Sequence, residues 1–106
     1  MEEHKYQCPV AATLGIIGGR WKPIIIWVLM KDSRRFGQLH SIIGDISRKI
    51  LTEQLRELEA EGLIIRTEYK ETPPRVVYEL SEKGETLKPI IMAMNNWGTE
   101  NIVGQQ

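Results

Sequence analysis

Apolar positions along this chain change period several times, and each change marks an element. In PVAATLGII, residues 9–17, Val10, Leu14 and Ile17 fall at helical spacing. Pro9 suits a first helical position and Cys8 the N-cap before it. Gly18-Gly19 then stops the helix, because glycine readily takes the left-handed conformation beyond a helix end. A second helix is expected from Pro23 to about Lys31. Its run Ile24 to Met30 is apolar on every side, which belongs at the centre of a domain. Isoleucines also favour strands, but Pro23 at the head and the helical neighbours favour a helix.

Arg34-Arg35-Phe36 allows a short strand. Phe36, Leu39, Ile42 and Ile43 then follow at i, i+3, i+6 and i+7, a helical stripe closed by a Gly44-Asp45 turn. Ser47 caps the next helix, which is expected to run to Glu61. Ile46 and Leu51 stand at the two positions of a hydrophobic staple, and the third helical residue, Ile50, leaves no capping box. Ile50, Leu51, Leu55 and Leu58 form its inner stripe, and Gly62 ends it.

From residue 63 the period falls to two, which is a strand pattern. Leu63, Ile65, Thr67 and Tyr69 alternate with Ile64, Arg66, Glu68 and Lys70. Val76, Tyr78 and Leu80 alternate with Arg75, Val77 and Glu79. Glu71-Thr72-Pro73-Pro74 joins the two strands, and its prolines cannot donate ladder hydrogen bonds. This is a hairpin with a projecting tip. Ser81 caps the last helix, with Glu82 placed well for the helix dipole. Leu87, Ile90, Ile91, Met94 and Trp97 continue at helical spacing, with a kink or fresh start expected at Pro89.

The predicted architecture is α+β and mostly α: a winged helix-turn-helix with a two-stranded wing and an additional C-terminal dimerisation helix. At 106 residues the chain has the size of one domain, 1–106. The helix-turn-helix spans about 36–61 and the wing about 63–80. Dimerisation helices are expected at about 9–18 and 81–102.

Charge modifies this picture locally. The whole chain is neutral, 14 Lys and Arg against 14 Asp and Glu, which does not mark a strongly basic nucleic-acid binder. Between Lys31 and Arg56, however, Lys31, Arg34, Arg35, Arg48, Lys49 and Arg56 face only Asp32, Asp45 and Glu53. Local charge matters more than the sum for phosphate contact. With Leu51, Leu55 and Leu58 inward, Arg48, Lys49, Thr52, Glu53 and Arg56 point outward. Donors then lead this helix, while Glu57, Glu59 and Glu61 trail it. A major-groove helix needs donors at its leading end, and Ser47 with the first free amides can bind a phosphate. Lys70 and Arg75 flank the hairpin tip, where basic side chains can enter a minor groove or grip the backbone. Arg34 or Arg35 is expected to meet a phosphate. A solvated amphipathic helix with a plain surface turn is the alternative, and the order of elements favours DNA.

The stripe Leu87, Ile90, Ile91, Met94 and Trp97, with Val10, Leu14 and Ile17, exceeds what so small a core needs. It either packs within one subunit or meets a second copy. The single cysteine, Cys8, excludes an internal disulfide. A thiol at a helix start is favoured as thiolate by the free amides and the dipole. Both a sensor thiol and an inert side chain remain open for it. His4 and His40 lack metal-ligand spacing, and no phosphate loop or nucleophile–base arrangement stands out. No catalytic residue, metal or cofactor is expected. The first residues are polar and the longest apolar run, Ile24 to Met30, is too short to span a bilayer, so a cytoplasmic protein with no membrane partner is expected.

Taken together, Cys8-Pro9, Ile17-Gly18-Gly19-Arg20-Trp21-Lys22, Arg35-Phe36-Gly37-Gln38-Leu39, Ile46-Ser47-Arg48-Lys49-Ile50-Leu51-Thr52, Leu55-Arg56-Glu57-Leu58-Glu59, Gly62-Leu63, Pro73-Pro74-Arg75-Val76, Tyr78-Glu79-Leu80-Ser81 and Pro89-Ile90 carry a resemblance. The chain resembles the HxlR-type winged-helix transcriptional regulators, a group related to MarR regulators. No single piece is specific; their order and spacing are. Gln38 departs from an expected acid, and Arg20 from the commoner lysine. The resemblance implies a homodimer on double-stranded DNA at an inverted-repeat promoter site. It also implies, as in some members, control through an N-terminal cysteine such as Cys8 or through a small effector. A winged-helix protein-interaction module, or a redox sensor without a direct DNA role, are the rival functions.

Overall fold

A computed structural model of the chain describes residues 8–103. The expectations on His4 and the polar residues before Cys8 lie outside them. The chain runs through α1 (Pro9–Ile17), α2 (Lys22–Lys31), β1 (Arg34–Arg35), α3 (Phe36–Ile43), α4 (Arg48–Ala60), β2 (Ile64–Tyr69), β3 (Arg75–Leu80), α5 (Glu82–Glu85) and α6 (Lys88–Gly98). A π-helical turn, Thr99–Val103, continues α6.

Local chemistry explains the boundaries. Gly19, Gly44 and Gly62 adopt positive φ, which lets the chain turn at low steric cost after α1, α3 and α4. Gly18 itself is extended, so the left-handed residue at the first break is Gly19 alone. Ser47 Oγ accepts the Ile50 N–H at 3.0 Å and fixes the start of α4. Gln38 Oε1 accepts the Arg35 N–H at 2.8 Å and braces the start of α3. An amide does there what an acid would do. Pro89 produces a fresh start rather than a kink: α5 ends at Glu85, and Pro89 occupies the first turn of α6.

The sheet is antiparallel with strand order β1-β3-β2. The hairpin is therefore extended by β1, whose Arg34 pairs with Tyr78 and Arg35 with Val77. Ile64 pairs with Leu80 and Arg66 with Tyr78. Directly paired residues share a face. Ile64, Tyr78 and Leu80 therefore form the covered side of the sheet, and all three are buried.

Helix α2 is the hub, packing on α3, α4, α6 and β3. Its Ile25, Ile26, Val28 and Leu29 are buried, whereas Ile24 stays 38% exposed and Trp27 is half-buried. Leu51, Leu55 and Leu58 of α4 join the same core, and Ile50 is only partly covered. An ion pair of 2.6 Å between Lys22 and Glu57 ties the start of α2 to the trailing half of α4.

Two residues expected at a dimer interface belong to this core instead. Ile17 is 2% and Ile91 3% exposed, both packed within the single chain. Leu87 is half-buried against the same cluster. Ile16 and Ile17 of α1 face a shared space with Leu63, Leu87 and Ile90, and Ile16 and Leu87 pack against the core cluster that holds Ile17 and Ile91. Each helix spends one side of its stripe on this packing. Val10, Leu14, Ile90, Met94 and Trp97 remain exposed, joined by Ile102 and Val103.

Candidate nucleic-acid interface

The outer face of α4 is built by its period. Lys49, Thr52 and Arg56 stand at i, i+3 and i+7, so they share one face over roughly 10 Å of helix. Lys49 and Arg56 are exposed, and neither has an ion-pair partner among the described residues. Thr52 Oγ1 donates to the Arg48 carbonyl at 2.9 Å, which leaves its oxygen lone pairs outward as acceptors. Arg48 lies with its guanidinium 5.7 Å from the centre of the Phe36 ring, which links the leading end of α4 to the start of α3. Ser47 is exposed beside it, its hydroxyl engaged as the cap.

The sheet meets this face. Thr52, Arg56 and Glu59 of α4 and Arg66 and Tyr78 of the hairpin line one polar cleft. Arg66 pairs with Glu68 at 3.6 Å, and the Tyr78 side chain beside it, with the Glu68 and Glu59 carboxylates, raises its pKa. Sequence reasoning misses Arg66. Its signal lies in the alternation that puts it on one face with Lys70, but only the pairing with Tyr78 shows that this face adjoins α4.

The paired arginines at β1 separate. Arg35 is exposed, while Arg34 turns inward and its Nε is buried. The strand alternates sides, so only one of two neighbours can face solvent. Arg35 is thus the one presented to solvent. At the hairpin tip, Lys70 is exposed, but Arg75 is committed. Its Nη2 and Nε donate to the two Glu71 carboxylate oxygens at 2.7 and 3.2 Å. Its guanidinium also covers the Tyr69 ring at 4.1 Å. The Arg75 hydrogen bonds hold the Glu71 carboxyl below its ordinary pKa.

Cys8 is exposed with a free thiol, at the N-cap of α1 and with no side-chain capping bond. It heads the helix that carries the exposed Val10 and Leu14. Among the described residues, no group of three or more His, Cys, Asp or Glu is placed to hold a metal ion. No single described helix is long and apolar enough to cross a membrane.

A capped helix with a cationic leading face, a short helix before it and a hairpin beside it define a winged-helix DNA-binding protein. Comparison with known proteins agrees. The model of the HxlR-like helix-turn-helix family matches residues 16–106. The HTH-type transcriptional regulator YybR of Bacillus subtilis is 44% identical over 98 residues, covering 92% of this chain and 78% of YybR. The redox regulator HypR, in its oxidized form, matches with a TM-score of 0.86 at 45% identity over 89% of this chain and 97% of HypR. A MarR-family transcriptional regulator from Porphyromonas gingivalis W83 matches with a TM-score of 0.88 at 38% identity, covering 92% of this chain and 95% of the other. The chain belongs to the HxlR-like helix-turn-helix family of transcriptional regulators.

Proposed function

We propose that this regulator binds an inverted-repeat promoter site as a homodimer, with one α4 in each of two major grooves. Ser47, Arg48, Lys49, Thr52 and Arg56 face base edges and flanking phosphates. Arg35 and Arg66 hold the backbone, and Lys70 leads the wing. Arg75 joins Lys70 once Glu71 gives it up to a phosphate. The observation that carries this reading is the face of Lys49, Thr52 and Arg56, whose two cations have no ion-pair partner among the described residues, with Thr52 and Arg56 continuous with Arg66 across one cleft.

The second copy is called for by the exposed apolar face of Val10, Leu14, Ile90, Met94 and Trp97, with Ile102 and Val103 extending it. Contiguous apolar surface of this kind marks a protein contact. Two-fold pairing through it aims two α4 helices at one side of the duplex, with half-sites about 34 Å apart. The neutral net charge suits a protein that draws specificity from one face rather than from overall attraction. The partners are double-stranded DNA and a second copy of the chain, in the cytoplasm, without catalysis or a cofactor.

Cys8 provides a point of control. Its exposed thiol stands at the head of α1, on the helix whose Val10 and Leu14 enter the interface, so a modification there alters subunit pairing before DNA. Selection of bound fragments followed by footprinting tests the proposal. The expected result is a palindromic footprint with half-sites one helical turn apart or slightly more. A single unpaired half-site overturns the dimer, and binding indifferent to salt overturns the phosphate contacts. A Cys8→Ser protein that still releases DNA on oxidant treatment removes Cys8 from the control.

A further inference from the structure

The cations of α4 and those of the hairpin are held in different ways. On α4, Lys49 and Arg56 are exposed without an ion-pair partner among the described residues. On the hairpin, each arginine is matched with a carboxylate. Arg66 pairs with Glu68 at 3.6 Å, two residues along the same face of β2. Glu59 of α4 lines the cleft with Arg66 and adds a second negative charge near it. Arg75 donates to both Glu71 carboxylate oxygens across the tip, at 2.7 and 3.2 Å. Within residues 64–80, Arg66, Lys70 and Arg75 are balanced by Glu68, Glu71 and Glu79, so the hairpin carries no net charge. Glu79 differs from the other two acids: it is exposed and holds no arginine among the described residues.

An exposed ion pair is only weakly stabilising. A backbone phosphate brought within reach of the guanidinium can therefore take the carboxylate's place. We propose that Glu68 and Glu71 are specificity-determining residues, which withhold Arg66 and Arg75 from DNA at large and yield them on a duplex that seats α4. The inference rests on the proposed placement of α4 in the major groove with the hairpin against the backbone. On an unrelated duplex α4 has no fixed seat, and binding grows with the number of phosphates neutralised. A hairpin without net charge adds little to that attraction. On the operator, α4 fixes the hairpin at the backbone, where a phosphate can accept the two-pronged bond of a guanidinium. The displaced carboxylates are a repulsive element that any duplex must overcome, and one that fits α4 poorly does not.

Fluorescence anisotropy on the full chain tests this, with a duplex recovered by selection of bound fragments and a scrambled duplex of the same length, each over a salt series. The double variant Glu68→Gln/Glu71→Gln is compared with the parent and with Glu79→Gln, which removes one hairpin charge without releasing an arginine. The double variant is expected to bind the scrambled duplex at least about tenfold more tightly, with a salt slope steeper by about 0.9 for each arginine recruited. Its gain on the selected duplex is smaller, so discrimination falls, while Glu79→Gln keeps the parent's ratio of affinities. Unchanged binding to the scrambled duplex, an equal gain on both duplexes, or the same loss of discrimination in Glu79→Gln overturns the proposal. Circular dichroism checks folding, and the single variants Glu68→Gln and Glu71→Gln, each expected to lose part of the discrimination, carry the same test if the double variant does not fold. A parent that discriminates beside folded variants that keep its ratio overturns this inference alone. A parent that binds both duplexes alike, with Lys49→Ala altering neither, overturns the placement of α4 as well.

Discussion

Replacing Lys49 by alanine separates DNA recognition from folding. Lys49 is exposed on α4 and has no ion-pair or hydrogen-bond partner among the described residues. Alanine is at least as good a helix former, so the change in unfolding free energy should stay within about 0.5 kcal/mol. The cost therefore falls on the complex. If each Lys49 of the dimer reads a base, at about 1–3 kcal/mol apiece, the variant binds its site more weakly by about 2–6 kcal/mol. That is roughly 30-fold to about 20,000-fold in affinity. If Lys49 meets phosphate instead, removing both ammonium groups lowers the slope of log affinity against log salt by about 1.8 and weakens all sequences alike. Fluorescence anisotropy with a selected duplex and an unrelated one, over a salt series, distinguishes the two. Unchanged affinity and unchanged slope in a protein that melts like the parent refute the placement of α4 in the groove.

Three further outcomes follow from particular residues. Trp97→Glu puts a charge into the exposed apolar face, where Trp97 is 62% exposed, so sedimentation should show a folded monomer; a persistent dimer places the interface elsewhere. Gly84 is buried, and a Cβ there would stand 2.1 Å from the Leu63 carbonyl oxygen, so Gly84→Ala should lower stability by about 1–3 kcal/mol in urea unfolding, and an unchanged midpoint contradicts the packing of α5 against Leu63. Glu71 is held below its ordinary pKa by Arg75, so the tip pairing is complete above the usual carboxylate range and disappears as pH falls through the lowered value. Carboxyl NMR should show this titration in the parent and its upward return to the ordinary range in Arg75→Gln. Glu71→Gln should free Arg75 and tighten DNA binding with a steeper salt slope, whereas weaker binding assigns Glu71 a DNA contact of its own.

Much of the site is legible in the sequence because its determinants are local. The serine before α4, the glycines after α1, α3 and α4, and the switch from helical to alternating period act within a few residues of themselves. They set the bounds of α4 and of the hairpin, and the period then places Lys49, Thr52 and Arg56 on one face. The bracing of α3 by Gln38 is local too, since an amide and an acid both accept the Arg35 N–H.

What lies beyond sequence is which side chains have partners. Alternation says that Arg34 and Arg35 point oppositely, but not which one meets water; that follows from β1 pairing with β3, so that Arg34 falls on the covered face with Tyr78. The same register carries Arg66 to the cleft beside α4. The capture of Arg75 by Glu71 and Tyr69 depends on how the tip folds back. Ile17 and Ile91 carry the same helical periodicity as Leu14 and Met94, yet packing into the shared core, with α6 against α2, buries one pair and leaves the other in solvent. Periodicity is a property of one element, so the chain itself determined its helices, strands and apolar stripes. Burial and pairing are properties of two elements packed together, so only the tertiary structure decided which cations stand without an ion pair and which apolar residues stay in solvent.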